Sequence, residues 1–237
     1  HGGSGQAAPF PPHFAPTPKA AQNLRAEGVA SESIFVTGNT SIDAVLQAAS
    51  RNGLPEPSER PKRTILVTAH RRENQGPPFQ NICNALKEIV RRHPDVEIVY
   101  SLHPNPNVKK VVKKNLSGVP GIRLISPPDY LSFIQLLRQV DLVLTDSGGL
   151  QEEAPVFDIP VLVLREETER IEAVHTGAVK LVGVDRDRIV TEVHSLLTDK
   201  EAYRRMAQAT NPYGDGNTAR QIIETLGRFF HDRHKRP

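Results

Sequence analysis

The stretch "LTDSGGLQEEAP", residues 144–155, sets an apolar strand against a Ser-Gly-Gly corner and then an acidic segment. Ser147 stands where a helix N-cap is expected, and Gly148-Gly149 strip side chains from the first helical turn. Bare amides and the positive end of the helix dipole then face the corner, which suits an anion such as phosphate. Glu153, six residues after Ser147, can reach back beside that anion. A carboxylate does not bind phosphate, but it accepts hydrogen bonds from a neighbouring ribose diol, so the two together suit a nucleotide. A capped helix with acidic residues in its first turns would show the same letters.

Outward from this corner, short apolar, β-branched runs alternate with amphipathic segments. Strands are expected at 33–37, 64–68, 97–102, 122–125, 142–145, 161–164 and 180–182. Helices are expected at 18–27, 41–49, 79–93, 107–114, 130–139, 148–154, 186–197, 200–209 and 218–230. Near-continuous apolar strands suit a sheet covered on both faces. The alternation predicts right-handed β-α-β units in one α/β domain: a Rossmann-like, doubly wound parallel sheet. In the longest helix Phe79, Ile82, Cys83, Leu86, Ile89 and Val90 form one apolar stripe, which makes Cys83 a small core residue.

In such a sheet the ligand lies where strands end and helices begin. The strand ends supply Thr37-Gly38-Asn39, His70-Arg71-Arg72-Glu73, His103-Pro104-Asn105, 127–133, 146–149 and 165–170. His70, Arg71, Arg72, Arg165 and Arg170 are expected to converge on an anion, which favours the nucleotide over the plain capped helix. His70 beside a diphosphate would be able to bind its oxygens and serve a leaving group as acid. His103 is held between prolines and suits a rigid turn as well as a ligand contact.

Composition narrows the classes. The 237 residues are 38% hydrophobic and 24% charged, as in ordinary globular proteins. A net charge of +3 with dispersed basic residues argues against a nucleic-acid surface. The single cysteine, Cys83, excludes an intrachain disulfide and a cysteine-based zinc site, so no metal is expected. No run approaches the roughly 20 apolar residues of a membrane span, and no signal peptide is visible, so a cytoplasmic location without a membrane partner is expected. Residues 1–12 contain "GGSG" and a proline-rich run, the composition of an appended or disordered linker, with the Rossmann-like domain expected over 13–237. "RNGLPEPSERPK", 51–62, is expected to be a loop.

"FAPT", "IFVTGNTSIDA", "VTAHRREN", "HPNPNV", "LTDSGGLQEEAP", "REETERIEA" and "NPYGDGNTA" stand in the order and approximate spacing of one family. Over residues 13–230 the chain resembles the non-hydrolysing UDP-N-acetylglucosamine 2-epimerases of bacteria and archaea. The resemblance implies a two-domain GT-B fold, of which this chain is similar to the C-terminal domain only. It implies UDP or a UDP-sugar as ligand and no further cofactor. Ser147, Gly148 and Gly149 would take the phosphates, Glu153 the ribose, His70 and Arg170 the diphosphate, while Phe133 and the backbone near Pro128 would lie by the uracil.

It also implies interconversion of UDP-GlcNAc and UDP-ManNAc, with proton-moving carboxylates in the absent N-terminal domain, so Glu152, Glu169 and Glu172 are not assigned as bases. Arg71 and His103 match contacts to a second, activating UDP-GlcNAc. The parent is expected to be a homodimer, and this chain alone inactive. Ile171 and Pro128 depart from the pattern, one replacing a proline and the other a glutamine or leucine. Leu226, Phe229 and Phe230 on the last helix are expected to be partly exposed. Rival readings are a hydrolysing relative, a GT-B glycosyltransferase donor domain, and a designed non-catalytic module.

Overall fold

The computed structural model describes residues 11–51, 61–74 and 76–234, with side chains through His231. Residues 1–10 of the proposed linker and 52–60 of the proposed loop lie outside them. The chain runs β1 (His13–Ala15), α1 (Pro18–Ala26), β2 (Ile34–Val36), α2 (Thr40–Ala49), β3 (Arg63–Thr68), α3 (Pro77–Arg92), β4 (Val96–Ser101), α4 (Pro106–Leu116) and β5 (Ile122–Ile125). It continues α5 (Tyr130–Leu137), β6 (Leu142–Thr145), α6 (Gly148–Glu153), β7 (Val161–Val163), α7 (Ile171–Thr176), β8 (Val179–Leu181), α8 (Arg186–Thr198), α9 (Lys200–Ala207) and α10 (Thr218–His234). The chain divides into two compact units, 1–44 with 212–237 and 45–211.

The larger unit carries a six-stranded, wholly parallel sheet in the order β5-β4-β3-β6-β7-β8. Strand order reverses between β3 and β6, so the switch point lies at Thr68 and Thr145, which are paired in register. Side chains alternate across the sheet. Ile65, Val67, Ile98, Tyr100, Leu142, Leu144 and Leu162 join α3, α4 and α8 in one core. Leu66, Val99, Val143, Val161 and Val163 are buried as well, on alternate positions of their strands, which is why these strands read as unbroken apolar runs. The stripe of α3 behaves as its spacing predicts: Phe79, Ile82, Cys83, Leu86 and Ile89 are buried, and burial pushes the Cys83 thiol up to about 11.

The strand expected at 33–37 is a correction. β2 is present, but it pairs with β1 in a separate two-stranded parallel sheet rather than joining the main one. β1, only three residues long, was not expected, because three residues show no periodicity to read. In this smaller unit Ala15, Ala21 and Ile34 form the core, and Thr17 caps α1 by accepting from the Ala20 amide at 3.1 Å. Asp43 accepts from the Ala219 amide at 2.9 Å, satisfying the start of α10. Along α10, Leu226 and Phe229 are half-buried whereas Ile223 and Phe230 are exposed.

Thr37-Gly38-Asn39 therefore leaves the list of ends around the main sheet and has a structural role. Gly38 sits at φ +88°, the Asn39 amide donates to Tyr213 O at 2.7 Å, and Thr218 Oγ1 donates to Thr37 O at 2.8 Å. A Cβ on Gly38 would lie 2.7 Å from Thr218 Oγ1 and 2.9 Å from Tyr213 O, so a side chain meets both a forbidden φ and a backbone oxygen. Gly38→Ala is expected to destabilise the chain by about 1–3 kcal/mol, measured by urea unfolding. An unchanged midpoint would refute this packing.

α7 was also unexpected. It is six residues long and closes at Gly177 in the left-handed region, too short for a helical stripe to show.

Candidate functional site

At the switch point the ends of β3 and β6 are tied together. Thr68 Oγ1 and Thr145 Oγ1 lie 2.6 Å apart, and Thr145 Oγ1 also accepts from the Ser147 amide at 2.9 Å. Asp146, wholly buried, crosses to the end of β3: its Oδ2 accepts from the His70 and Arg71 amides, both at 2.8 Å, and from Asn74 Nδ2 at 3.0 Å. Oδ1 has no hydrogen-bond partner and faces His70 Nδ1 at 3.4 Å. One carboxylate thus fixes the backbone that presents His70 and aims at its ring.

The His70 ring stacks on His103 at a centroid distance of 4.4 Å and an interplanar angle of 8°. Burial holds the His70 pKa below its ordinary value; Asp146 opposes this, and His103 and Arg71 add to it. A diphosphate arriving here would reverse the balance, since a nearby anion favours the imidazolium.

The two ends open into a cleft of about 340 Å³ lined by His70, His103, Phe133, Ser147, Gly149 and Glu153, with Thr68, Pro127 and Tyr130 among the rest. Six of the candidate residues are thereby brought together. Pro128 does not line the cleft; its neighbour Pro127 does. Gly148 is buried, and a Cβ there would lie 3.1 Å from Glu169 Oε1 and 3.4 Å from Arg170 Cζ. Gly149 is exposed to the cleft.

Ser147 occupies the N-cap position of α6, but its hydroxyl makes no capping hydrogen bond, which corrects the expectation of a side-chain cap. The Thr145 hydroxyl takes its amide, and Ser147 lines the cleft instead. At the other end of α6, burial and then the neighbouring Glu152 carboxylate push the Glu153 carboxyl up to about 7.

The arginines do converge, onto carboxylates. Arg170 bonds Glu152 through Nε at 2.9 Å and Glu169 through Nη1 at 2.8 Å. Arg165 bonds Glu73 at 2.7 Å and Glu169 at 3.0 Å. Arg71 donates through Nε to Asp146 O at 2.8 Å and places Nη2 3.7 Å from Glu169. Arg72 is exposed and outside this web. Gln151 and Thr168 brace it: Thr168 Oγ1 donates to Gln151 Oε1 at 2.7 Å and accepts from the Arg170 amide at 3.1 Å, while Gln151 Nε2 donates to Ser147 O at 3.1 Å. Asn74 and Gln151 were not singled out in the sequence, and Asp146 and Thr168 entered only within the strand-end ranges 146–149 and 165–170, without a role; each lies inside a quoted motif, which was the available signal.

A parallel sheet with its cleft at the switch point places the chain in a defined class, the Rossmann-like, doubly wound α/β domains. The C-terminal domain of a group 1 glycosyl transferase from Francisella tularensis shares this fold over 70% of the present chain, at TM-score 0.50 and 18% identity, a likeness of fold alone. The chain belongs to the UDP-N-acetylglucosamine 2-epimerase family, which matches residues 11–227. It is 49% identical over 226 residues to the UDP-N-acetylglucosamine 2-epimerase of Yersinia pestis, covering 90% of this chain and 60% of that one. The UDP-GlcNAc 2-epimerase of Neisseria meningitidis bound to UDP-GlcNAc superposes at TM-score 0.83 with 41% identity, over 92% of this chain and 61% of that one. The S. aureus MnaA-UDP co-structure gives TM-score 0.86 and 40% identity, over 95% and 62% respectively. The chain thus spans about three fifths of the length of such relatives. Among the described residues no helix is long and apolar enough to cross a membrane.

Proposed function

We propose that this chain is the UDP-binding, C-terminal half of an enzyme that interconverts UDP-GlcNAc and UDP-ManNAc. The observation that carries the reading is the cleft at the switch point, where Ser147, Gly149, Glu153 and His70 face one space. Amides and the Ser147 hydroxyl would take phosphate oxygens, Glu153 the ribose diol, and Phe133 an apolar face of the base. The structure of a family member with UDP-GlcNAc bound supports this ligand.

In the proposed reaction the C1–O bond breaks as a proton leaves C2, the C2–H electrons form the C1=C2 bond, and the β-phosphate oxygen keeps the C1–O pair. In the return step the C1=C2 electron pair takes a proton on the opposite face of C2 while a β-phosphate oxygen donates its pair to re-form the C1–O bond, which completes the epimerisation. What this chain contributes is stabilisation of the charge growing on the leaving phosphate, by His70 and the arginines. No further cofactor is invoked. The acid and base carboxylates are assigned to an N-terminal domain, and the parent to a homodimer, so the chain by itself binds nucleotide and turns over nothing.

Calorimetric titration tests this. Saturable binding of UDP in preference to ADP is expected, weakened about tenfold by Ser147→Ala, with no UDP-ManNAc formed from UDP-GlcNAc. Equal affinity for ADP, or turnover at an ordinary enzymatic rate, would overturn the reading.

A further inference from the structure

Glu169 lies among the arginines that the nucleotide reading assigns to phosphate. Its Oε1 is 2.8 Å from Arg170 Nη1 and 3.7 Å from Arg71 Nη2, and its Oε2 is 3.0 Å from Arg165 Nη1. The neighbouring carboxylates are placed differently. Glu152 is nearly buried, with 6% of its side chain exposed, and pairs with Arg170, while the exposed Glu73 pairs with Arg165. Glu169 is shared by all three arginines and is 47% exposed, so it can rotate into water at small cost. Its own backbone amide, then Arg165 and Arg170, hold its carboxyl below the usual range, so it is ionised throughout the neutral region.

We infer that Glu169 is an internal anion that stands in for the ligand's phosphates on Arg71, Arg165 and Arg170, and that it limits affinity because the ligand must displace it. The inference rests on the diphosphate reading of this cleft. A monoanion arriving here would exchange one unit charge for another and gain little. A diphosphate brings more charge and more oxygens than the carboxylate it removes, and guanidinium groups favour it. Glu169 would therefore keep the arginines paired and reserve them for polyanions, a form of selection by competition. Release of product would be assisted by the same return of the carboxylate.

The test is calorimetric titration of the full chain and of Glu169→Gln with UDP, inorganic pyrophosphate and uridine. Glu167→Gln, a nearby exposed position, controls for the change in net charge. Loss of the competing carboxylate is expected to tighten pyrophosphate and UDP about fivefold, leaving uridine unchanged, while Glu167→Gln alters none of them. Unchanged, weakened or absent pyrophosphate binding in Glu169→Gln would overturn the competition. UDP binding equally to both chains would likewise remove the role of Glu169 while leaving the nucleotide reading intact. Tighter pyrophosphate binding in a chain that does not take up UDP would sustain the competition and sink the nucleotide reading instead.

Discussion

Asp146→Ala is expected to cost about 3–5 kcal/mol of folding stability. The side chain is wholly buried, and its removal strands the His70 and Arg71 amides and the Asn74 side-chain amide together. Each of these donors loses its carboxylate partner, and a buried donor left unpaired bears a desolvation penalty. Asp146→Asn separates structure from charge. One amide oxygen can keep the three donors, but an amino group then faces His70 Nδ1 where Oδ1 stands 3.4 Å away. The neutral ring accepts from that group and the imidazolium does not, so Asp146→Asn should stay folded and lose affinity for UDP. Urea unfolding of both variants, followed by UDP titration of the folded one, makes the comparison. An alanine variant within about 1 kcal/mol of the parent chain would show that Asp146 does not organise this corner.

The alternation of strands and helices was legible because the inner strands β3, β4, β6 and β7 are buried on both faces and the long helix α3 carries one apolar stripe. The corner at 147–153 was legible because its chemistry is local: a strand end, two glycines and a carboxylate one helical span away. What escaped has two causes. β1 and α7 are three and six residues long, shorter than the windows over which a strand or helix period can be read. The roles of Asp146 and Glu169 depend on which strands are neighbours. Asp146 reaches Asn74, 72 residues earlier, because β3 and β6 pair across the switch point, and strand order is not written in any local pattern. Likewise Thr145 takes the Ser147 amide two residues on, so the hydroxyl expected to cap α6 is left facing the cleft. The motifs around 70 and 168 contain Arg71, Arg165 and Arg170, yet the carboxylates that pair with these arginines could be placed only by the fold.

Glu153 should make both stability and ligand affinity depend on pH, in opposite directions. Burial and Glu152 raise its carboxyl from 4.5 to about 7. A raised carboxyl keeps its proton in the folded chain after the unfolded chain has released it, so this group favours folding below pH 4.5 and loses that advantage as pH climbs to about 7. The full shift, discounted for partial exposure, corresponds to about 1–2 kcal/mol. Glu153→Gln removes the titration, and is therefore expected to match the parent chain near pH 4 and exceed it by that amount at pH 8. Ribose hydroxyls donate to the ionised carboxylate, so nucleotide binding should expel its proton and UDP affinity should rise about tenfold between pH 6 and pH 8. UDP's own terminal phosphate titrates in both chains, and His70, whose pKa burial lowers from its ordinary value, loses charge as pH rises and so acts the opposite way in both. The difference between parent and Glu153→Gln isolates the carboxylate: the variant should lose the rise that Glu153 supplies and bind more weakly at pH 8 while melting later. A variant that is both less stable and equally pH-dependent would mean that Glu153 is ionised in the empty cleft and that burial there is relieved by water.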